Sequence, residues 1–592
     1  MSTTISINRK TVKEFFEASR QNPILIPEYQ RPYEWDSEEV ITLFDDLREF
    51  VESASEKSDE TSQQEDYFLG IVVHYDNNNQ REIIDGHQRI ITLTLLLRVI
   101  YTHLESMNKS DAVNENRYTI ERLLWKKNRT VGTVDKTRVL IHSEVIDEVS
   151  LKNFMRILET GIADPKADDL YSQNYILLQE LYQKYCGTNL TAAFNFIYTL
   201  LEQIILLPIQ ADSMEMALTI FSTLNDRGKP LTDADILKAK IYKALDDDAR
   251  KTFIGNWQNL EEFSKELEID IVEDVFAPYM FYTRAVNGWN TAFYSGVRKY
   301  FLNEKPQYLC DPKLMSNFDR ILNFWSVVKQ HAEIDGEPWS RDTKILQALE
   351  ILVLYPNDFW KHAVITYYFA NSARPNFIES FSSFLRKLLA QIVPRCFIRR
   401  AIDITKVGII NLNVLSSRSP YPSFNFKLVE GVSNFTDKIK LSSKNAKNSN
   451  SIKMLLKIIA YADPEQTATL PDKLQIEHIY PRKWVDNYDL NGFTSAKINE
   501  LIEKLGNLTL FEKKHNIRAS NEYFAKKKKS YKQSKVAMTQ RLAELNDFRP
   551  ENIITRTDEM NRRLKNILET WSAEYDDAKR IYEQRLRAEE RL

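Results

Sequence analysis

Glycine is scarce in this chain, with 14 residues in 592 against a usual share of about 7%. Few tight turns and no glycine-lined loops are implied, so a helix-rich protein is expected. Cysteine is scarcer still. Cys186, Cys310 and Cys396 are odd in number and far apart, which excludes a disulfide scaffold, makes no zinc pattern and suits a reducing cytoplasm. No apolar run approaches the roughly 20 residues of a membrane span, and the opening MSTTISINRK has no apolar signal core. A phosphate-binding P-loop is missing, because Gly228-Lys229 lacks both the upstream glycine and the following Ser or Thr. Net charge is also nearly absent, at −3, and by itself argues neither for nor against nucleic acid.

What is present is apolar and aromatic residue, 43% and 11% of the chain, enough for large cores in three or four domains. The chemistry concentrates in Gln475–Asn516. QIEHIYP reads as a short strand carrying Glu477 and His478, and LGNLTLF at 505–511 as a second strand carrying Asn507. EKKHN then leads into a helix with Asn516. Phosphodiester hydrolysis needs an activated water and a clamp on developing charge. Imidazole titrates near neutrality, so His478 suits the base, and Asn507 is a candidate to orient it from the facing strand. A hard divalent ion prefers oxygen, and Glu477 and Asn516 offer a carboxylate and an amide. Successive strand residues face opposite ways, which weakens Glu477 as a partner of His478. The stretch that follows is basic: Leu501–Lys535 holds ten Lys or Arg, including Lys526, Lys527, Lys528 and Lys529, against three Glu. A phosphate backbone needs such a surface.

A second group of motifs lies upstream. ILIPEYQRPYEWD places Tyr29, Gln30, Arg31, Tyr33 and Trp35 together, either as a cradle for a base or phosphate or as a packed aromatic corner. Asp36 starts a helix with Val40, Leu43, Phe44, Leu47 and Val51 on one face. YFLGIVVHY and QREIIDG flank DNNN as a hairpin. Asp85-Gly86 then ends a strand, and His87, Gln88 and Arg89 stand at the start of a buried helix, where an anion is favoured. Residues 111–210 read as mainly helical. In IFSTLNDRGKPLTDADILKAK, Asn225 and Arg227 are candidate phosphate contacts and Thr232 with Asp235 a helix cap. From 246 to about 435 no chemical motif occurs, and Phe276, Tyr279, Phe281 and Tyr282 read as core. Residues 556–592 form a charged helix with Met560, Leu564, Ile567, Trp571 and Tyr575 in one stripe. That stripe docks on the body or pairs with a second copy.

PEYQRPYEW with IIDGHQR, and EHIYP, GNLTL and Asn in that order, resemble the two ends of the GmrSD-type modification-dependent restriction enzymes. The resemblance implies an α+β, helix-rich multidomain protein. Residues 1–110 would form a ParB/sulfiredoxin-like core, 111–245 its helical continuation, 246–440 a helical spacer, 441–545 an HNH nuclease domain and 546–592 a final helix. It implies a cytoplasmic DNA endonuclease of type IV restriction, acting against phage with modified DNA. The HNH site would use one Mg²⁺ or Mn²⁺, and Asp85, Gly86, His87, Gln88 and Arg89 would bind a nucleoside triphosphate. The family motif is Asp-Gly-Gln-Gln-Arg. His87 here replaces its first Gln, so binding is implied and hydrolysis is not. A nucleotide-switched DNA-binding scaffold and a ribonuclease toxin remain open beside this reading.

Overall fold

The computed structural model describes residues 6–56, 66–127, 134–145, 148–214, 216–218, 220, 232–291, 294–398, 401–439, 446–471, 473–482, 492–514 and 524–589. The chain divides into two compact units, Met1–Ile254 and Gly255–Leu592. Asn225, Arg227 and Asn516 lie outside the described residues.

The first unit is built on a seven-stranded mixed sheet. Its strands are β1 (Ser6–Ile7), β2 (Lys10–Thr11), β3 (Ile24–Ile26), β4 (Tyr67–Asn77) and β5 (Gln80–Asp85). After β6 (Trp125–Lys127) and β7 (Val134–Val139), which pair as a separate ribbon, come β8 (Ile141–Ser143) and β9 (Ile204–Ala211). The order is β1-β9-β4-β5-β3-β8, with β2 also on β9. β4 and β5 form the expected antiparallel hairpin. Asn78 and Asn79 both take positive φ at its tip, a conformation asparagine tolerates better than most residues.

Residues 111–210 are mainly helical, as expected, in Asp111–Leu124, Glu148–Thr160, Leu170–Cys186 and Leu190–Glu202, with β6 to β8 between the first two of these helices and β9 after the last. β9 reads IILLPIQA, an apolar run without alternation because it is buried between β4 and the short strands β1 and β2. Such a run is as compatible with a buried helix as with an inner strand. Pro208 is tolerated because it falls between the residues paired with β1 and those paired with β2.

Helices cover this sheet. α1 (Val12–Ala18) is fixed by a capping box between Thr11 and Glu14. α2 (Ser37–Glu56) buries Val40, Leu43, Phe44, Leu47 and Val51, the stripe read from the sequence. α3 (His87–Ser106) is buried nearly all round, from Ile90 to Leu104, which holds its N-terminus rigidly at the end of β5.

The second unit joins a helical bundle to a small α+β element. Helices Ala277–Val286, Leu314–Gln330, Thr343–Leu352, Phe359–Asn371 and Phe377–Cys396 pack around Phe276, Tyr279, Phe281, Phe318 and Trp325, all buried. β10 (Leu474–His478) pairs antiparallel with β11 (Leu508–Glu512), His478 standing opposite Leu508. Ile479, Tyr480, Ile498, Leu501, Phe511, Phe524 and Tyr531 form the core beneath this hairpin. The last helix, Pro550–Glu589, buries Met560, Leu564, Leu568 and Tyr575, so its apolar stripe docks on its own unit. No described helix is long and apolar enough to cross a membrane.

Candidate functional site

In the second unit the hairpin carries His478 at the very end of β10. Its side chain is 12% exposed, and the Glu503 carboxylate approaches Nε2 to 3.9 Å. That nitrogen is buried and makes no hydrogen bond. Arg482 donates from Nη2 to Glu503 Oε1 at 2.8 Å, holding the carboxylate in place. Burial lowers the imidazole pKa to about 4, helped by Arg482 and opposed by Glu503. His478 is therefore neutral at physiological pH and can accept a proton. Glu503 was not identified from the sequence: it lies in an ordinary-looking IEKLGN run, and only the turn before β11 brings it to the histidine.

Asn507 does not orient His478. It is 0% exposed and its amide is fully used on backbone: Oδ1 accepts from Tyr480 N–H at 2.7 Å. Nδ2 donates to Tyr480 O and Ile502 O, each at 3.0 Å. It fastens the loop after His478 to the turn before β11, as a hub inside the fold.

Glu477 points the other way from His478, as strand alternation requires. Its Oε1 accepts from Lys527 Nζ at 2.7 Å and Tyr531 OH at 3.0 Å, so this buried carboxylate serves an internal ion pair and not a metal. Lys527 is likewise withdrawn from any DNA-facing role. Its side chain is 1% exposed and it also donates to His478 O at 2.7 Å, stapling the Phe524–Tyr531 helix to β10. Its neighbours Lys526 and Lys529 are exposed and Lys528 is half-buried. Among the described residues no group of three His, Cys, Asp or Glu could hold a metal ion.

In the first unit, β5 delivers Asp85 to Gly86, whose φ of +88° makes the turn into α3. A Cβ at Gly86 would press on Ile71 O and Val72, so glycine is required here for space as well as for φ. Gln88 is a clip: its Nε2 donates to Pro32 O at 2.8 Å and faces His87 Nε2 at 2.9 Å. Its Oε1 accepts from the amides of Glu34 and Trp35. The whole Gln88 amide is thus spent on fixing the PYEW loop. Arg89 donates to Ile71 O at 3.1 Å and packs where a Gly70 side chain would be. His87 is buried, which lowers its pKa to about 3 and keeps it neutral.

The EYQRPYEW loop is largely the packed corner. Tyr33 stacks on Tyr171 and its hydroxyl meets Thr92 and Asn174. Tyr29 OH donates to Glu82, and Gln30 Nε2 to Ile83 O and Ile84 O. Arg31 and Trp35 are only half-buried. Arg31 Nε lies 3.5 Å from Asp235 Oδ2, on the Asp233–Ala244 helix that Thr232 and Asp235 cap. The structure thus gathers Asp85, Arg89 and Arg31 at the α3 N-terminus and turns Tyr29, Gln30 and Tyr33 into scaffold.

Burial raises the Asp85 pKa to about 6, with Arg89 pulling it back. A carboxyl whose folded pKa is raised costs nothing below its unfolded value near 4 and its full penalty above about 6. Asp85→Asn is expected to stabilise the first unit by about 2–3 kcal/mol at pH 8 and by little at pH 4. Urea unfolding of wild type and variant at the two pH values checks this; an equal difference at both would contradict it.

Two family models match the chain: the N-terminal domain of GmrSD restriction endonucleases over residues 12–242 and their C-terminal domain over residues 431–563. The comparison with curated proteins found no match. The first match takes in the Asp85–Arg89 turn and the second the His478–Asn507 hairpin, so each motif group falls within its own domain of one family and in the family's order. The chain belongs to the GmrSD restriction endonuclease family.

Proposed function

We propose that this chain is a modification-dependent (type IV) DNA endonuclease of anti-phage defence. In this reading the first unit is a ParB/sulfiredoxin-like sensor of nucleotide, and β10–β11 with its following helix is an HNH finger that cuts double-stranded DNA. One observation carries the reading. A neutral, nearly buried histidine ends β10 with an unbonded Nε2, faced by a carboxylate that an arginine holds.

His478 takes the proton from the attacking water, and Glu503 steadies the imidazolium that results. Asn507 and Lys527 hold the strand end and its loop in register, so that the base keeps its place. Restriction endonuclease families use a divalent ion, and Mg²⁺ or Mn²⁺ would supply charge stabilisation at the scissile phosphate. Of the expected oxygen donors, Asn516 keeps that role in the proposal, and Glu477 is released from it. Lys526, Lys528 and Lys529 give the DNA backbone a positive surface beside the site. In the first unit Asp85, Gly86 and Arg89 are the proposed nucleotide contacts, with His87 and Gln88 acting behind them to set the turn.

The purified chain is tested with Mg²⁺ on unmodified, glucosylated-hydroxymethylcytosine and phosphorothioate DNA, with and without nucleoside triphosphates. Cleavage confined to one modified DNA supports the proposal and names the mark. Equal cleavage of all three removes modification dependence. Cleavage of cellular RNA in preference to any DNA replaces the reading by that of a ribonuclease.

A further inference from the structure

The turn that carries Asn507 is gripped from two sides. From the inside, Asn507 fastens it to Tyr480 and Ile502, and its own carbonyl accepts from Ile479 N–H at 2.9 Å. From the outside, the last helix holds it. Arg556 Nη1 donates to Gly506 O at 2.6 Å and to Leu508 O at 2.9 Å. Thr557 Oγ1 accepts from Gly506 N–H at 3.1 Å. Gly506 has no room for a Cβ, which would overlap Ile553 O and the Thr557 hydroxyl. The helix therefore lies directly on the backbone of the turn, and Arg556 reaches past Gly506 to the first residue of β11. Leu508 is the residue that stands opposite His478.

The same helix is anchored far from this point. Lys387 Nζ donates to Ser572 Oγ at 2.7 Å and to the Asp576 carboxylate at 2.8 Å, and Tyr575 OH to Pro422 O at 2.7 Å. A helix of 40 residues, about 60 Å long, thus lies on the 505–508 turn at one end and on the bundle at the other. A mobile turn would let Asn507, and with it the segment that follows His478, move relative to the base. A misplacement of about 1 Å at a reacting group is enough to slow a reaction about a hundredfold.

We propose that Arg556 is a positioning residue for DNA cleavage: its two hydrogen bonds to Gly506 and Leu508 hold the turn through which Asn507 sets the His478 strand end. This rests on the nuclease reading above. It concerns a residue outside the motifs of the cleavage site and far along the chain from His478.

The test uses the full chain. Arg556→Met removes both hydrogen bonds, and Arg556→Lys keeps the charge with a single reach. Leu568→Ala, a buried position further along the same helix that does not touch the turn, controls for lost stability. Each is assayed well below its unfolding temperature with Mg²⁺ and the DNA that wild type cuts. Arg556→Met is expected to lose kcat by about ten- to a hundredfold with KM and DNA affinity within about twofold of wild type, and Arg556→Lys to recover part of the loss. Leu568→Ala is expected to lower the unfolding temperature while keeping kcat. Amide hydrogen exchange is read alongside: in Arg556→Met, peptides covering 474–480 and 505–512 should exchange faster, and those covering 359–396 should not. Wild-type kcat in folded Arg556→Met, or an equal loss of kcat in Leu568→Ala, overturns the proposal. If wild type cuts no DNA, the nuclease reading fails, and the exchange experiment then decides alone whether Arg556 holds the turn.

Discussion

His478→Ala is expected to slow DNA cleavage by about 10²–10⁴-fold, the usual contribution of a positioned general base, and to leave DNA affinity unchanged. The histidine is nearly buried, neutral and at the end of its strand, so it contributes little charge to a polyanionic ligand. Deleting the ring opens a small space next to Glu503 and leaves that carboxylate held by Arg482, so the fold has no reason to collapse. His478→Gln keeps a polar group of similar reach without a base of useful basicity, and it should be as inactive as alanine. Single-turnover cleavage and equilibrium DNA binding, measured on the same preparations, separate the two effects. A variant that cuts at the wild-type rate removes His478 as the base; one that loses binding in proportion makes it a DNA contact.

Asn507→Ala should damage both stability and activity. Three hydrogen bonds disappear at a residue with no exposure, and the Tyr480 N–H, the Tyr480 carbonyl and the Ile502 carbonyl lose the partner they share. Each buried group left unsatisfied costs about 1–3 kcal/mol, so a loss of about 3–5 kcal/mol in the second unit is expected after partial relaxation. Asn507→Asp should be no better: it keeps an acceptor for Tyr480 N–H but turns a carboxylate toward two carbonyl oxygens in a dry site. Urea unfolding of the full chain reads the stability loss, and cleavage is expected to fall with it. If Asn507→Ala unfolds like wild type yet cannot cut, then Asn507 acts on the reacting groups after all, and its hydrogen bonds to the loop are incidental.

Local signals in the sequence carried the parts of the structure that are themselves local. The β4–β5 hairpin was legible because two consecutive asparagines can take positive φ, and α2 because its apolar spacing has one period throughout. The two short strands were legible too, but Asn507, expected on the second of them, stands in the turn just before it. The roles were less so. Asn507 looks like a group available to a histidine until the fold turns it inward. Lys527 looks like one of four equal lysines until Glu477 and the His478 carbonyl claim it, and nothing in a run of KKKK tells which member faces in. Glu503 and Arg556 reach the site only through contacts set by the fold: Glu503 through a tight turn and Arg556 from about fifty residues downstream. β9 was missed for another reason: from Ile204 to Ile209 it is apolar and largely buried, and the one polar residue, Gln210, comes too late to betray its period. In the first unit the aromatic loop was legible as a unit, but whether tyrosines cradle a ligand or a neighbour depends on Tyr171, Thr92 and Asn174, which lie far off in the chain.

The most direct test of the central claim is to incubate the purified chain with Mg²⁺ and glucosylated-hydroxymethylcytosine or phosphorothioate plasmid DNA, with a nucleoside triphosphate mixture present and a chelator control, and to follow nicking and linearisation on a gel. Cuts that accumulate with time, stop with the chelator and are absent in His478→Ala are the expected result. Intact plasmid under every metal and nucleotide condition, by a protein that still binds the DNA, would contradict it and leave this family member as a DNA-binding component whose cutting is done by another protein.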